Sequence, residues 1–135
     1  MNDAVKITPF STASAPAPGG HYAQAIKHAG LLYISGQLPI APDGTHLAEA
    51  DFDDQARQAI RNLIAVAEAA GASVGSLLKV TVYVVGVANW PRFNAVYEEM
   101  LGAAHPARTV VPVPELHYGY LVELDAIAAC QEEST

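Results

Sequence analysis

Apolar residues recur every second position in some stretches of the chain and every third or fourth in others. The alternation of the two periods lays out the elements. Leu31-Leu32-Tyr33-Ile34 lies between Gly30 and Gly36 and predicts a strand over Leu31–Ser35. A strand over Tyr22–His28 precedes it, with His28-Ala29-Gly30 near the turn. Pro42-Asp43-Gly44 is a turn signal. From Asp51 to Ala70, the residues Ala56, Ala59, Ile60, Leu63, Ile64, Ala67 and Ala70 share one helical face. Asp51 or Asp53 can cap the first turn, and Gly71 marks the stop. Leu78–Val85 predicts a strand with Leu78, Val80, Val82 and Val84 facing one way and Lys79, Thr81, Tyr83 and Val85 the other. A second helix spans Trp90–Leu101, with Phe93, Val96, Tyr97, Met100 and Leu101 on one face and Pro91 in its first turn. Arg108–Val113 and Tyr120–Ala128 read as strands joined by a loop from Pro114 to Gly119.

The order β-β-α-β-α-β-β implies an α+β fold, a sheet with both helices on one face. Its other face would carry Tyr83, Val85, Leu121 and Ile127, too apolar to stand bare. A further copy of the chain is the expected cover. Ser11–Gly20 (STASAPAPGG) reads as a flexible loop.

Composition narrows the picture. At 135 residues, 1–135 is expected to form a single domain. Fifty-one per cent hydrophobic and 16% charged residues exclude a disordered chain. The net charge of −7 argues against nucleic-acid or anionic-membrane partners, which need a basic face. The N-terminus lacks the basic region and apolar core of a secretory signal. The longest apolar stretch, Val80–Ala88, is broken by Thr81 and Gly86 and is far below the ~20 residues of a membrane helix. A cytoplasmic location is expected. The lone Cys130 excludes an intrachain disulfide and reads as an incidental thiol. Acidic residues gather at Glu49–Asp54 and in the tail at Glu132–Glu133.

Candidate chemistry is sparse. G-x-G-x-x-G, G-x-x-x-x-G-K-[ST], G-x-S-x-G and H-E-x-x-H are all absent. The five histidines, at 21, 28, 46, 105 and 117, form no close pair, so no metal site is expected and each reads as a surface or loop histidine. Two features remain. Arg108 opens an apolar strand and is one of only four arginines. It is either a strand-end residue in solvent or a planar fork able to grip a carboxylate with two parallel hydrogen bonds. Glu123 and Asp125 share a strand face with Leu121 and Ile127. They are either its wet side or half-buried carboxyls raised in pKa and suited to acid–base work.

Those residues also carry a resemblance. Gly20-His21-Tyr22-Ala23-Gln24-Ala25-Ile26 resembles the G-P-Y-S-Q-A-I of the Rid (reactive intermediate deaminase, YjgF-like) family. Leu32–Pro39 resembles that family's strand ending in S-G-Q-x-P. Glu68–Ser73, Val80–Tyr83 and Phe93–Tyr97 follow its middle portion. Pro106-Ala107-Arg108-Thr109 and Val122–Ala128 resemble its P-A-R-[ST] and V-E-I-E-A-I-A signatures. The match runs in order from Gly20 to Ala128. His21 for proline, Val110 for Ser, Thr or Cys, and the aromatic His117-Tyr118-Gly119-Tyr120 loop depart from the pattern.

The resemblance implies a chorismate-mutase-like fold, a mixed sheet assembled as a homotrimer with a pocket at each subunit interface. It implies a RidA-type hydrolytic deaminase that turns enamines or imines such as 2-aminoacrylate into a 2-keto acid and ammonia, without cofactor. Arg108 would bind the substrate carboxylate, and Glu123 would position water and shuttle protons. Tyr22, Ser35, Gly36, Asn94 and Val110 match pocket positions, and Asp125 matches a structural acid. The departures raise a larger catabolic enamine, such as 2-aminomuconate, as a further substrate. A trimer that binds small carboxylates without turnover is the alternative. A ribonuclease role, also attached to the family, conflicts with the acidic balance.

Overall fold

In the computed structural model, which describes residues 5–131, six strands form one sheet and two helices cover it. The strands are β1 (Thr8–Phe10), β2 (Ala25–His28), β3 (Leu31–Gln37), β4 (Leu77–Val85), β5 (Ala107–Val113) and β6 (Val122–Ala129). The helices are α1 (Phe52–Ala69) and α2 (Trp90–Leu101). The strand order is β1-β2-β3-β6-β4-β5, with β5 parallel to β4 and every other pair antiparallel. The acidic tail expected at Glu132–Glu133 lies outside the described residues.

Helix α1 forms where its apolar face dictates. Ala56, Ala59, Ile60, Leu63, Val66 and Ala67 are fully buried. Of the two candidate caps, Asp51 is the one used: its side chain accepts the Asp54 N–H at 3.0 Å. The far end closes by a Schellman pair, Ala72 N–H to Ala67 O at 2.8 Å and Gly71 N–H to Glu68 O at 3.1 Å. Gly71 supplies the left-handed φ of 88° that this ending requires. Leu32, Ile34, Val80, Val82, Val84, Val122 and Leu124 bury the sheet face beneath. The opposite face carries Tyr33, Thr81, Tyr83, Glu123, Asp125 and Ile127, all partly or well exposed, and no helix among the described residues lies over it.

Three features depart from the sequence reading. Strand β1 was not expected, because three residues around Pro9 show no period. It adds to the outer edge of β2, a position where a proline is tolerated. The predicted strand over Tyr22–His28 begins only at Ala25. Before it, the buried Gln24 side chain accepts the Thr12 N–H and donates to the Thr12 and Pro16 carbonyls, so this stretch serves the 12–16 loop instead of the sheet. Finally, Leu78 does not face the core. Leu77 is 5% exposed and Leu78 46%. The pairing slips from Leu77↔Ala128 to Lys79↔Ile127, so β4 spends one extra residue there and Leu78 bulges outward.

Candidate active site

A second bulge builds the site. Strand β3 pairs with β6 from Ile34↔Ala126 to Gln37↔Leu124, three steps against two. The extra residue falls in Ser35-Gly36 and turns Gly36 toward Glu123. A Cβ at residue 36 would stand 2.6 Å from Glu123 Oε2, so only glycine leaves room for the carboxyl where it lies. Glu123 is half-buried on the helix-free face. Burial pushes its pKa up, the nearby Asp125 adds to the rise, and His117 opposes it. Asp125 is also raised by burial, a rise reduced by the Tyr83 hydroxyl, which donates to its Oδ2 at 3.2 Å.

Glu123 opens onto a cleft of about 380 Å³ lined by Tyr22, Gly36, Leu38, His46, His117 and Tyr118 among others. Buried amides brace its wall at Leu38 and Ile40 and the loops beside it. Asn62, on α1, donates to the Leu38 and Ile40 carbonyls at 3.1 and 2.8 Å. Gln55, nearer the start of α1, accepts the Leu121 N–H at 2.9 Å and donates to the Ala50 carbonyl at 3.1 Å. Such amides hold loops against a helix because an unpaired polar group in the core is costly.

Arg108 occupies a different place. It begins β5 on the helix side, with its guanidinium 5.0 Å from the Tyr97 ring centre and 6.0 Å from that of Phe93. Among the described residues no carboxylate pairs with it. It lines a second cleft of about 360 Å³ with Asn94, Tyr97, Glu98 and His105. Among the described residues the buried hydroxyl of Tyr97 has no hydrogen-bond partner there.

The sequence-predicted residues thus fall into two groups. Tyr22 and Gly36 gather around Glu123, and Asn94 joins Arg108. Within one chain the two groups line separate clefts. Ser35 sits at the bulge, but its hydroxyl donates to the Ala23 carbonyl at 2.6 Å and so braces the loop before β2. Val110, on β5, packs against the core and lines neither cleft. Sequence reasoning missed His46, which it set among surface histidines. It also missed Tyr97 as the ring beneath Arg108. The spacing of His46 gives no sign of its place, since it reaches the cleft through a turn. Tyr97 was legible only as a core residue.

A mixed sheet in this strand order, with two helices on one face, defines a chorismate-mutase-like α+β domain, here with a half-buried carboxyl at the head of a cleft. Comparisons specify it further. The family model described as Endoribonuclease L-PSP matches residues 12–130. A RutC family protein of Pyrococcus horikoshii is 43% identical over 117 residues, 87% of this chain and 93% of that protein. The 2-iminobutanoate/2-iminopropanoate deaminase of Escherichia coli is 38% identical over 122 residues, covering 88% and 94%. Among solved structures, the YjgF gene product of E. coli superposes with a TM-score of 0.86 at 35% identity, covering 92% of this chain and 99% of that one. E. coli TdcF with bound serine gives 0.87 at 31%, covering 92% and 99%. The chain belongs to the Endoribonuclease L-PSP, or Rid (YjgF-like), family.

Proposed function

We propose that the protein is a deaminase of reactive imines and enamines, hydrolysing them to a 2-keto acid and ammonia. The observation that carries this reading is the Glu123 carboxyl, half-buried with a raised pKa and lodged over Gly36 at the head of a cleft. An imine carbon is already electrophilic, so no strong nucleophile is required. Water adds to the C=N carbon, one proton leaves that water, and one reaches nitrogen. The carbinolamine then collapses to the keto acid with loss of ammonia. An enamine first takes a proton on carbon to become the imine. A single carboxyl with a raised pKa can make these transfers in turn.

The substrate carboxylate is assigned to Arg108, whose fork has no carboxylate partner among the described residues. Because Arg108 and Glu123 line separate clefts in one chain, the complete site requires a neighbouring copy to bring its Arg108 group to the Glu123 cleft. The helix-free sheet face supports that assembly, as a homotrimer. The relatives named as 2-iminobutanoate/2-iminopropanoate deaminases support the chemistry.

Two substitutions test the roles separately. Arg108→Lys keeps the charge and loses the planar fork, so imine substrate and keto-acid product should both bind poorly. Glu123→Gln should keep product binding while turnover falls roughly 10²–10⁴-fold. Calorimetry with a 2-keto acid and timed assays of imine decay read the two effects. Turnover of Glu123→Gln within about threefold of wild type sinks the proton-transfer role. Keto-acid binding by the wild-type protein without any imine turnover favours the non-catalytic binding trimer.

A further inference from the structure

The Glu123 cleft has a wall that hydrolysis of a small imine does not use. Tyr118 stands at φ 62°, ψ 10°, in the left-handed region, and is 51% exposed. A bulky aromatic there is strained, and strain kept at a cleft points to use. Its ring lies 3.7 Å from that of His117 and 4.6 Å from that of His46, centre to centre. Tyr120, fully buried, fixes the set: its hydroxyl lies 2.7 Å from His46 Nδ1 and accepts the Leu47 N–H at 3.1 Å. Tyr22 lines the same cleft: its Oη accepts the Gly19 N–H at 3.3 Å, while Tyr118 Oη would lie 4.0 Å from a Cβ on the same Gly19. Two half-exposed tyrosines therefore flank the loop at Gly19, in the same cleft as Glu123. At about 380 Å³ the cleft falls in the roughly 300–1,000 Å³ range of pockets that enclose sizeable ligands.

We propose that this wall takes a planar aromatic side chain, so that the preferred ligands are aromatic 2-imino acids and their keto acids. The inference rests on the deaminase reading for the reaction but on the wall alone for the side chain. Offset and tilted ring contacts favour a flat π-system over an alkyl stub. A second carboxylate is disfavoured. Among the described residues of one chain the lining holds no lysine or arginine but does hold Glu123 and Asp43, the neighbour's Arg108 is taken by the first carboxylate, and Asp43 keeps its charge readily because it accepts the Thr45 N–H at 2.9 Å. A dicarboxylate such as 2-aminomuconate would meet these acids.

The test compares wild type with Tyr118→Gly, which removes the ring and suits the left-handed backbone. Tyr118→Asn, also tolerant of that conformation, serves if the glycine variant does not fold. Imines are released in situ from phenylalanine and from alanine by an amino-acid oxidase, and phenylpyruvate, pyruvate and 2-oxoglutarate are titrated calorimetrically. Wild type should favour the phenylalanine-derived imine in kcat/KM by about tenfold or more, the scale on which an apolar pocket discriminates. The ratio of the two kcat/KM values should fall by a similar factor in the variant. A preference for the alanine-derived imine, or a ratio unmoved by loss of Tyr118, overturns the aromatic wall and leaves the deaminase reading standing. Tightest binding of 2-oxoglutarate also overturns it. Phenylpyruvate binding that depends on Tyr118, with neither imine turned over, upholds the wall and removes the deaminase reading.

Discussion

Burial pushes the Glu123 carboxyl above the ordinary carboxylate range, and Asp125 adds to the rise. Between the ordinary value, about 4.3, and the raised one, the folded chain holds a proton that the unfolded chain has lost. Stability therefore falls as pH rises through that window. Glu123→Gln should consequently melt higher than wild type at pH 7, with the difference vanishing near pH 4. Asp125, raised for the same first reason, adds a slope of the same sign that the variant keeps. Calorimetric melts at the two pH values check this. A variant less stable at pH 7 would mean that, in the assembly, the neighbouring copy's Arg108 lies close enough to Glu123 to outweigh its burial. Gly36 is the partner in this geometry. The atom its missing Cβ would strike is the end of the Glu123 side chain, which can swing aside. Gly36→Ala should therefore fold with a melting point within about 5 °C of wild type, yet lose about 10²-fold in turnover through misplacement of the carboxyl. A melt and an imine-decay assay on the same sample decide it.

At the scale of elements, both helices and the main strands were legible, because their apolar periods run long enough to be read. Helix α1 was legible almost to its ends, since Gly71 is a local signal and Asp51 was one of two candidate caps. The bulges were not. Alternation continues through Leu78 as though the strand were regular, and nothing local marks the extra residue between Leu77 and Lys79. The same blindness hid how Ser35-Gly36 meets Glu123, a contact fixed by pairing with a strand far along the chain. Resemblance supplied Gly36 as a pocket position, but the reason for it lies in the register. Leu77 and Leu78 give a direct check. Leu77→Ala should cost about 2–5 kcal/mol, as a core deletion does, and Leu78→Ala less than about 0.5 kcal/mol, as a surface one does. Denaturant unfolding of the pair would reverse that order if the bulge were absent.

For the whole molecule, the arrangement to be tested is the joining of the Arg108 and Glu123 clefts across copies, in a homotrimer readable by native mass spectrometry or light scattering. A stable monomer at micromolar concentration that still turned over imines would refute the shared site. Arg108→Ala and Glu123→Ala chains, each inactive, should regain activity when unfolded together and refolded. In a random one-to-one mixture each site draws an intact arginine and an intact glutamate with even odds, so about a quarter of sites should work. The separation of the two clefts along one chain then has a genetic meaning. Two alleles broken in different clefts would complement one another in the same cell, whereas two broken in the same cleft would not. If the site is shared between copies, crosses between loss-of-function alleles would therefore sort the cleft residues into two complementation groups, one for each cleft.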